Sequence, residues 1–179
     1  MNTPQPSEIP EDHWVEKLKD GSHVLIRPLR PDDREREIEF IERLSPESRH
    51  FRFLHAIKVV SPALLDHLMH LDYRQTMAFV ALAHEGGKLI EVGVSRYGAT
   101  GDGQRCECAV AVADDWRRRG LATVLMRRLI DFARSKGFRQ IYSVDSPSNL
   151  AVQSLARLLG TECQRDPEDP GLLIHSLRL

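Results

Sequence analysis

The chain has few cysteines, few aromatic residues and almost no net charge. Its 179 residues include three cysteines, Cys106, Cys108 and Cys163. Three thiols cannot all pair within one chain, and a secreted protein of this size more often carries an even disulfide framework, so reduced thiols and a cytoplasmic setting are expected. Lys and Arg number 25 against 26 Asp and Glu, leaving a formal charge of -1. A protein built for nucleic acid is ordinarily more basic, so no nucleic-acid partner is expected. No apolar run is long enough to span a bilayer, and the N-terminal MNTPQPSEIPEDHW lacks the basic start and apolar stretch of a signal peptide. No membrane partner is expected either. Internal repeats and low-complexity tracts are absent. Cys106 and Cys108 are one residue apart and would point to opposite faces of a strand, no second pair accompanies them, and the eight histidines are scattered. No metal site is expected.

What is present is enough for one domain. Hydrophobic residues make up 41% of the chain, and the length fits a single core. Residues 1–18 are polar, with Pro4, Pro6 and Pro10 close together, and read as a flexible tail ahead of a single domain over 19–179. Order is expected to begin near His23. His23–Arg27 reads as a strand stopped by Pro28 and Pro31. Asp32 or Asp33 can cap a helix running to about Leu44, and Ser61-Pro62 marks a second helix start. Met77–Ala83 and Leu89–Tyr97 read as a hairpin around Glu85-Gly86-Gly87-Lys88, followed by a strand over Glu107–Ala113. Beyond Ala113 the order is basic loop, helix, strand, helix, strand. The first of these helices carries Leu121, Val124, Leu125, Leu129, Phe132 and Ala133 on one face and stops at Gly137. Ile141–Asp145 is a short strand, Ser148 or Asn149 opens the next helix, and Leu172–Leu177 is the last strand. Antiparallel strands with helices around them make an α/β (α+β) layered domain.

The chemistry is carried by Arg117-Arg118-Arg119-Gly120-Leu121-Ala122. A helix N-terminus already carries partial positive charge and four N–H groups without partners, so three cations are poorly placed there unless an anion joins them. Taken alone, the run reads as a solvated charged face. Following a strand and opening a helix, it has the context that a phosphate-binding loop needs. Gly120 lets backbone approach the anion, and Ala122 keeps the first turn uncrowded.

The segment Val110 to Ala122 resembles the acetyl-CoA signature of the GNAT superfamily, Gln/Arg-x-x-Gly-x-Gly/Ala, with Arg117, Gly120 and Ala122 in the three defined positions. Asn149 to Gly160 is similar to that family's later helix, with Thr161 where a Phe is usual. Ile26-Arg27-Pro28, Arg43 to Ser48, Arg52-Phe53, Asp72-Tyr73 and Glu107 to Trp116 resemble the acetyltransferase domain of bacterial protein lysine acetyltransferases. The resemblance implies a central mixed, mostly antiparallel sheet flanked by helices, with strands splayed at the acetyl-CoA site. It implies an N-acetyltransferase that uses acetyl-CoA as acyl-donor cosubstrate, without metal, and moves the acetyl group to a primary amine, a protein lysine being one candidate. Val110, Ala111 and Val112 would offer backbone groups to the pantetheine arm, with a Val112 N–H for the oxyanion. Arg117, Arg118, Arg119, Gly120, Leu121 and Ala122 would wrap the pyrophosphate. Asn149 would bond near the pantetheine or thioester, and Asp72 and Tyr73 would line the amine site.

An alkyl ammonium with a pKa near ~10.4 must lose a proton before it attacks. Glu107, on the strand before the loop, is the candidate base, because an acidic residue at the matching position serves so in the resembling enzymes. Partial desolvation beside Cys106, Cys108 and Ala109 would raise its pKa usefully. A strand glutamate facing water is the plainer reading. The Tyr that many GNAT enzymes use as acid is replaced by Ala156. A non-catalytic module that binds acetyl-CoA and senses it is the alternative function, and a homodimer is compatible with the sequence.

Overall fold

The computed structural model describes residues 9–54 and 59–179. The first eight residues of the expected tail lie outside that range. Eight strands form one sheet: β1 (Trp14–Lys17), β2 (His23–Pro28), β3 (Thr76–Glu85), β4 (Lys88–Thr100), β5 (Arg105–Val112), β6 (Gln140–Asp145), β7 (Glu162–Arg165) and β8 (Leu173–Arg178). Their order is β1-β2-β3-β4-β5-β6-β8-β7. Every neighbouring pair is antiparallel except β5–β6. A parallel pair needs a crossover, and α4 (Leu121–Ser135) supplies it. The other helices are α1 (Arg34–Arg43), α2 (Pro46–Phe53), α3 (Pro62–Met69) and α5 (Leu150–Leu159). The expected mixed, mostly antiparallel sheet flanked by helices is the fold observed.

Order begins before His23. Trp14–Lys17 pairs with His23–Ile26 as the edge strand β1. The Trp14 ring meets Phe79 edge-on at 5.8 Å, the Arg128 guanidinium lies 4.3 Å over the indole, and Glu16 pairs with Arg128. These anchors come from residues more than sixty positions away, so the local polar composition gives no hint of them. The expected cap role of Asp33 also changes. It occupies the N-cap position of α1 without capping it, because its buried carboxylate accepts two hydrogen bonds from Arg27, at 2.6 and 2.7 Å, and one from the Arg30 N–H.

Successive residues of a strand face opposite sides, and β4 shows what covers each. Ser95 donates to the Leu125 carbonyl of α4, whereas Arg96 pairs with Glu37 of α1 at 2.8 Å. The α4 side holds the scarce aromatics: Phe79 meets Phe132 at 5.7 Å, and Tyr97 meets Phe138 at 5.2 Å. Gly93 lets α4 pack closely, since a Cβ there would stand 2.9 Å from Leu125. The α1 side is ionic. Besides Arg27–Asp33 and Arg96–Glu37, it buries Glu91, whose two carboxylate oxygens have no partner among the described residues.

Candidate active site

β5 pairs with β4 along its whole length, but with β6 only over Arg105, Cys106 and Glu107. From Cys108 to Val112 the side of β5 turned to β6 is open. Ala113 N–H donates to the Val92 carbonyl of β4. In an antiparallel ladder the direction alternates, so the main-chain groups of Val112 and Val110 point away from β4, into the gap. Ala111 turns its own toward β4. A large cleft of about 920 Å³ opens here, lined by β5, the start of α4, β6, α5 and the end of α2. It lies within the size range typical of small-molecule sites.

The loop from β5 to α4 is shaped by two left-handed residues, Arg118 at φ 62° and Gly120 at φ 85°. Gly120 takes this conformation without the penalty a Cβ brings, and Lys19 packs its stem against it. The N–H groups of Gly120, Leu121, Ala122 and Thr123 have no acceptor among the described residues, the usual state of a helix's first turn.

The three arginines are not equivalent. Arg117 donates to Ser48 Oγ at 2.6 Å, and Ser48 donates on to Asp114 at 2.9 Å, tying the loop to α2. Arg119 lies 4.2 Å over the Trp116 ring, pairs with Asp20 at 3.2 Å and donates to the Asp115 carbonyl at 2.7 Å. It does not line the cleft. Arg118 lines the cleft and has no partner among the described residues. The sequence run thus resolves into two braces and one uncommitted cation.

Asn149 lies at the far side, 8% exposed, and caps α5 by accepting from the Val152 N–H at 3.2 Å. Its oxygen is thereby used, and its amide NH2 is the end available to a ligand. Glu107 stands where β5 and β6 part and is solvent-accessible in the cleft. Burial of its surroundings lifts its carboxyl above the ordinary range, Arg52 of α2 pulls it down, and Asp145 adds to the rise. The Arg52 guanidinium is pushed down to about 10 by burial and then by Arg96. It lies 4.8 Å over the Phe53 ring and has no hydrogen-bond acceptor among the described residues.

Asp72 and Tyr73 are not brought to the cleft. Asp72 Oδ1 accepts from the N–H groups of Arg74, Gln75 and Thr76, which closes the turn into β3. Tyr73 is buried, and its hydroxyl donates to the Leu29 carbonyl at 2.7 Å. Asp72 thus closes the turn into β3, and Tyr73 is committed to the Leu29 carbonyl. Sequence reasoning also missed Ser48, Arg52, Asp145 and His175, all of which line the cleft. Among the described residues no group of three or more His, Cys, Asp or Glu is placed to hold a metal, and no helix is long and apolar enough to cross a membrane.

Comparison with known proteins agrees with this geometry. A family model described as "Acetyltransferase (GNAT) family" matches residues 33–161. Acetyltransferase PA5475 of Pseudomonas aeruginosa is 62% identical over 168 residues, covering 94% of this chain and 90% of that protein. Acetyltransferase Pat of Mycolicibacterium smegmatis is 28% identical over 159 residues; the match covers 88% of this chain and 46% of that longer protein. Among solved structures, the GNAT domain of S. lividans PAT superposes with a TM-score of 0.84 at 26% identity, covering 93% of this chain and 97% of that one.

Proposed function

This chain belongs to the acetyltransferase (GNAT) family, and from that premise we propose that it transfers the acetyl group of acetyl-CoA to a primary amine, with Glu107 as general base and a protein lysine as the acceptor. The observation that carries the proposal is the parting of β5 from β6 immediately after Glu107. One point in the sheet thereby brings together a carboxylate, inward-facing main-chain N–H groups and the N-terminus of α4.

Acetyl-CoA fits the donor groups present. Arg118 and the first N–H groups of α4 suit a diphosphate, since a helix N-terminus combines free donors with partial positive charge. The N–H and C=O of Val110, and the N–H of Val112, suit the amide groups of a pantetheine arm laid along the open side of β5. The Asn149 amide adds a donor from α5. A Val112 N–H held in place before reaction can receive the developing oxyanion without reorganisation.

Glu107 takes the proton that the attacking ammonium must lose. Its raised pKa brings the carboxylate closer to the basicity that proton removal near neutral pH requires. The resemblance of Arg43 to Ser48, Arg52-Phe53 and Glu107 to Trp116 to bacterial protein lysine acetyltransferases motivates the lysine acceptor, and exposed Glu107 is accessible to a side chain carried on another protein. The test is thiol release from acetyl-CoA across a panel of small amines, lysine peptides and folded proteins, with acetylation sites read by mass spectrometry. Turnover on lysine supports the full reading. Turnover only on small amines removes the lysine acceptor, and tight acetyl-CoA binding without turnover on any acceptor removes the transferase reading in favour of a sensor.

A further inference from the structure

The position that carries a tyrosine acid in many related enzymes is Ala156 here, so the departing thiolate has no tyrosine donor on α5. The structure offers one elsewhere. His175 of β8 is cross-strand partner to Ser143 of β6, one residue beyond Tyr142, the last β6 residue paired with β5. His175, Ser143, Asp145 and Ala156 all line the same cleft. The imidazole is 5% exposed, and neither ring nitrogen has a hydrogen-bond partner among the described residues. Asp145 Oδ2 lies 4.0 Å from His175 Nε2 and accepts from the Ser143 hydroxyl at 2.5 Å. A buried imidazole with no structural bond to make, beside a carboxylate oriented by a hydroxyl, is arranged like a base and its orienter rather than like a packing residue.

The faces of the sheet add to the case. Cross-strand partners share a face and neighbours along a strand alternate. Glu107 and Tyr142 are therefore on one side, and Ser143, Asp145 and His175 on the other. Three other donors of the cleft wall are committed or unsuited. Thr161 donates to the Ala156 carbonyl, Ser143 donates to Asp145, and burial pushes the Cys108 thiol far up.

We propose that His175, paired with Asp145, is the general acid that protonates the CoA sulfur, so that acid and base act from opposite faces of the sheet at the point where β5 and β6 part. The inference rests on the acetyl-transfer reading above. In the step, the amine nitrogen bonds to the thioester carbon, the C–S bond breaks and its electron pair goes to sulfur. A ring N–H of imidazolium His175 passes its proton to that sulfur, leaving CoA thiol and neutral imidazole. Glu107 passes the ammonium's first proton to solvent before attack and then takes the second proton from the bonded nitrogen; it releases that one to solvent too, and solvent reprotonates His175 before the next cycle. Asp145 of β6 faces the ring, exposed Cys163 of β7 is its cross-strand partner, and Cys108 of β5 interacts electrostatically with Asp145. The cleft-lining residues of α4 and α5 nearest this face, Met126, Ile130, Val152, Leu155 and Ala156, are apolar, and Arg157 is exposed.

The experiment compares the wild-type chain with His175→Gln and Asp145→Asn, on whichever amine gives thiol release. Expected are an acetyl-CoA Kd within about twofold of wild type and a kcat lowered by about 10- to 100-fold, toward the lower end of what general acids contribute. The high-pH limb of the wild-type kcat profile should be absent in His175→Gln. Independently of turnover, the His175 ring signals of the wild-type protein, identified by their loss in His175→Gln or by sequential assignment, should move when CoA binds and stay in place with desulfo-CoA. Wild-type kcat and pH profile in both variants, or equal ring responses to CoA and desulfo-CoA, overturns the proposal while leaving acetyl transfer intact. Absence of wild-type turnover on every acceptor instead removes the transferase reading and this inference with it. If His175→Gln does not fold, the Asp145→Asn kinetics and the wild-type ring titration decide.

Discussion

Replacing the three loop arginines one at a time separates recognition from scaffolding. Arg118 is the cation that lines the cleft without a protein partner. A hydrogen bond to a charged group contributes about 1.5–3 kcal/mol, and at an open cleft the lower part of that range applies. Arg118→Ala should therefore weaken acetyl-CoA binding by about 1.5–2 kcal/mol, about 13- to 30-fold in Kd, and the loss should shrink as salt is added. Its melting temperature should hold, because the Arg118 side chain has no protein partner to lose among the described residues. Arg119→Ala should do the reverse. It deletes the stack on Trp116, worth about 0.5–1 kcal/mol at an exposed site, and the solvent-screened pair with Asp20, which adds little. A loss near ~1 kcal/mol lowers Tm by about 2–4 °C in a domain of this size, with Kd changed less than about twofold. Isothermal titration with acetyl-CoA at two salt concentrations, alongside thermal melts, reads both quantities. The assignment is refuted if Arg119→Ala costs more affinity than Arg118→Ala.

Three further outcomes are expected. Glu107→Gln should keep acetyl-CoA affinity and lower kcat at least about tenfold; because the base acts ionised, wild-type activity should fall as pH drops through its raised pKa, and Arg52→Gln, which removes the cation that lowers that pKa, should move this acidic limb to higher pH, so an unmoved limb in a rate–pH profile counts against the pair. Ala122→Glu places a carboxylate on the cleft side of the first turn of α4, where it favours the helix by about 0.3–1 kcal/mol but repels a diphosphate; a melt at or above wild type with acetyl-CoA binding lost is expected, and retained binding would show that the phosphates lie elsewhere. Burial, then Glu37, holds the Glu91 carboxyl well above its ordinary range, so the fold binds that proton more tightly than the unfolded chain does, and stability is fully present below the unfolded carboxyl pKa of about 4.3 and declines as pH rises above it. Glu91→Gln removes that decline, and its Tm should gain on wild type progressively from pH 4 to 8; a Tm gap independent of pH would contradict a neutral Glu91.

The elements that sequence reasoning finds are those with a local signature. β3, β4 and α4 carry their own periodicity, and α3 begins at a Ser-Pro pair in which Ser61 does accept from the Leu64 N–H. The same signature stands at Ser45-Pro46, where Ser45 accepts from Ser48 N–H and opens α2. That helix was legible, but PESRHFRF has too few apolar residues to draw attention. β1 and β7 leave no such trace. Both are four-residue edge strands, β7 exposed throughout and β1 held by one tryptophan against a residue 65 positions on. The ionic layer under α1 is invisible for the same reason: Glu37 looks like a solvated helix residue until Arg96, 59 positions later, arrives beside it.

The candidate site divides along the same line. Its proposed cofactor side is one contiguous segment that offers main-chain groups, so a local motif in its strand-to-helix context marks it from Val110 to Ala122. Its proton-transfer side is assembled from α2, β5, β6 and β8, and each member is locally unremarked: an arginine in a polar helix, an aspartate ending a strand, a histidine in the last strand. What singles out His175 is a conjunction that exists only in three dimensions, namely near-complete burial, two nitrogens without a partner and a carboxylate 4.0 Å away. Burying a polar ring without a hydrogen bond costs about 1–3 kcal/mol by protein measures, and a strand position serves packing as well with a valine or leucine. A fold that retains such a ring in the wall of its cleft, at the strand level where Glu107 stands on the opposite face, bears a stability cost that packing does not account for and that the proposed proton transfer does.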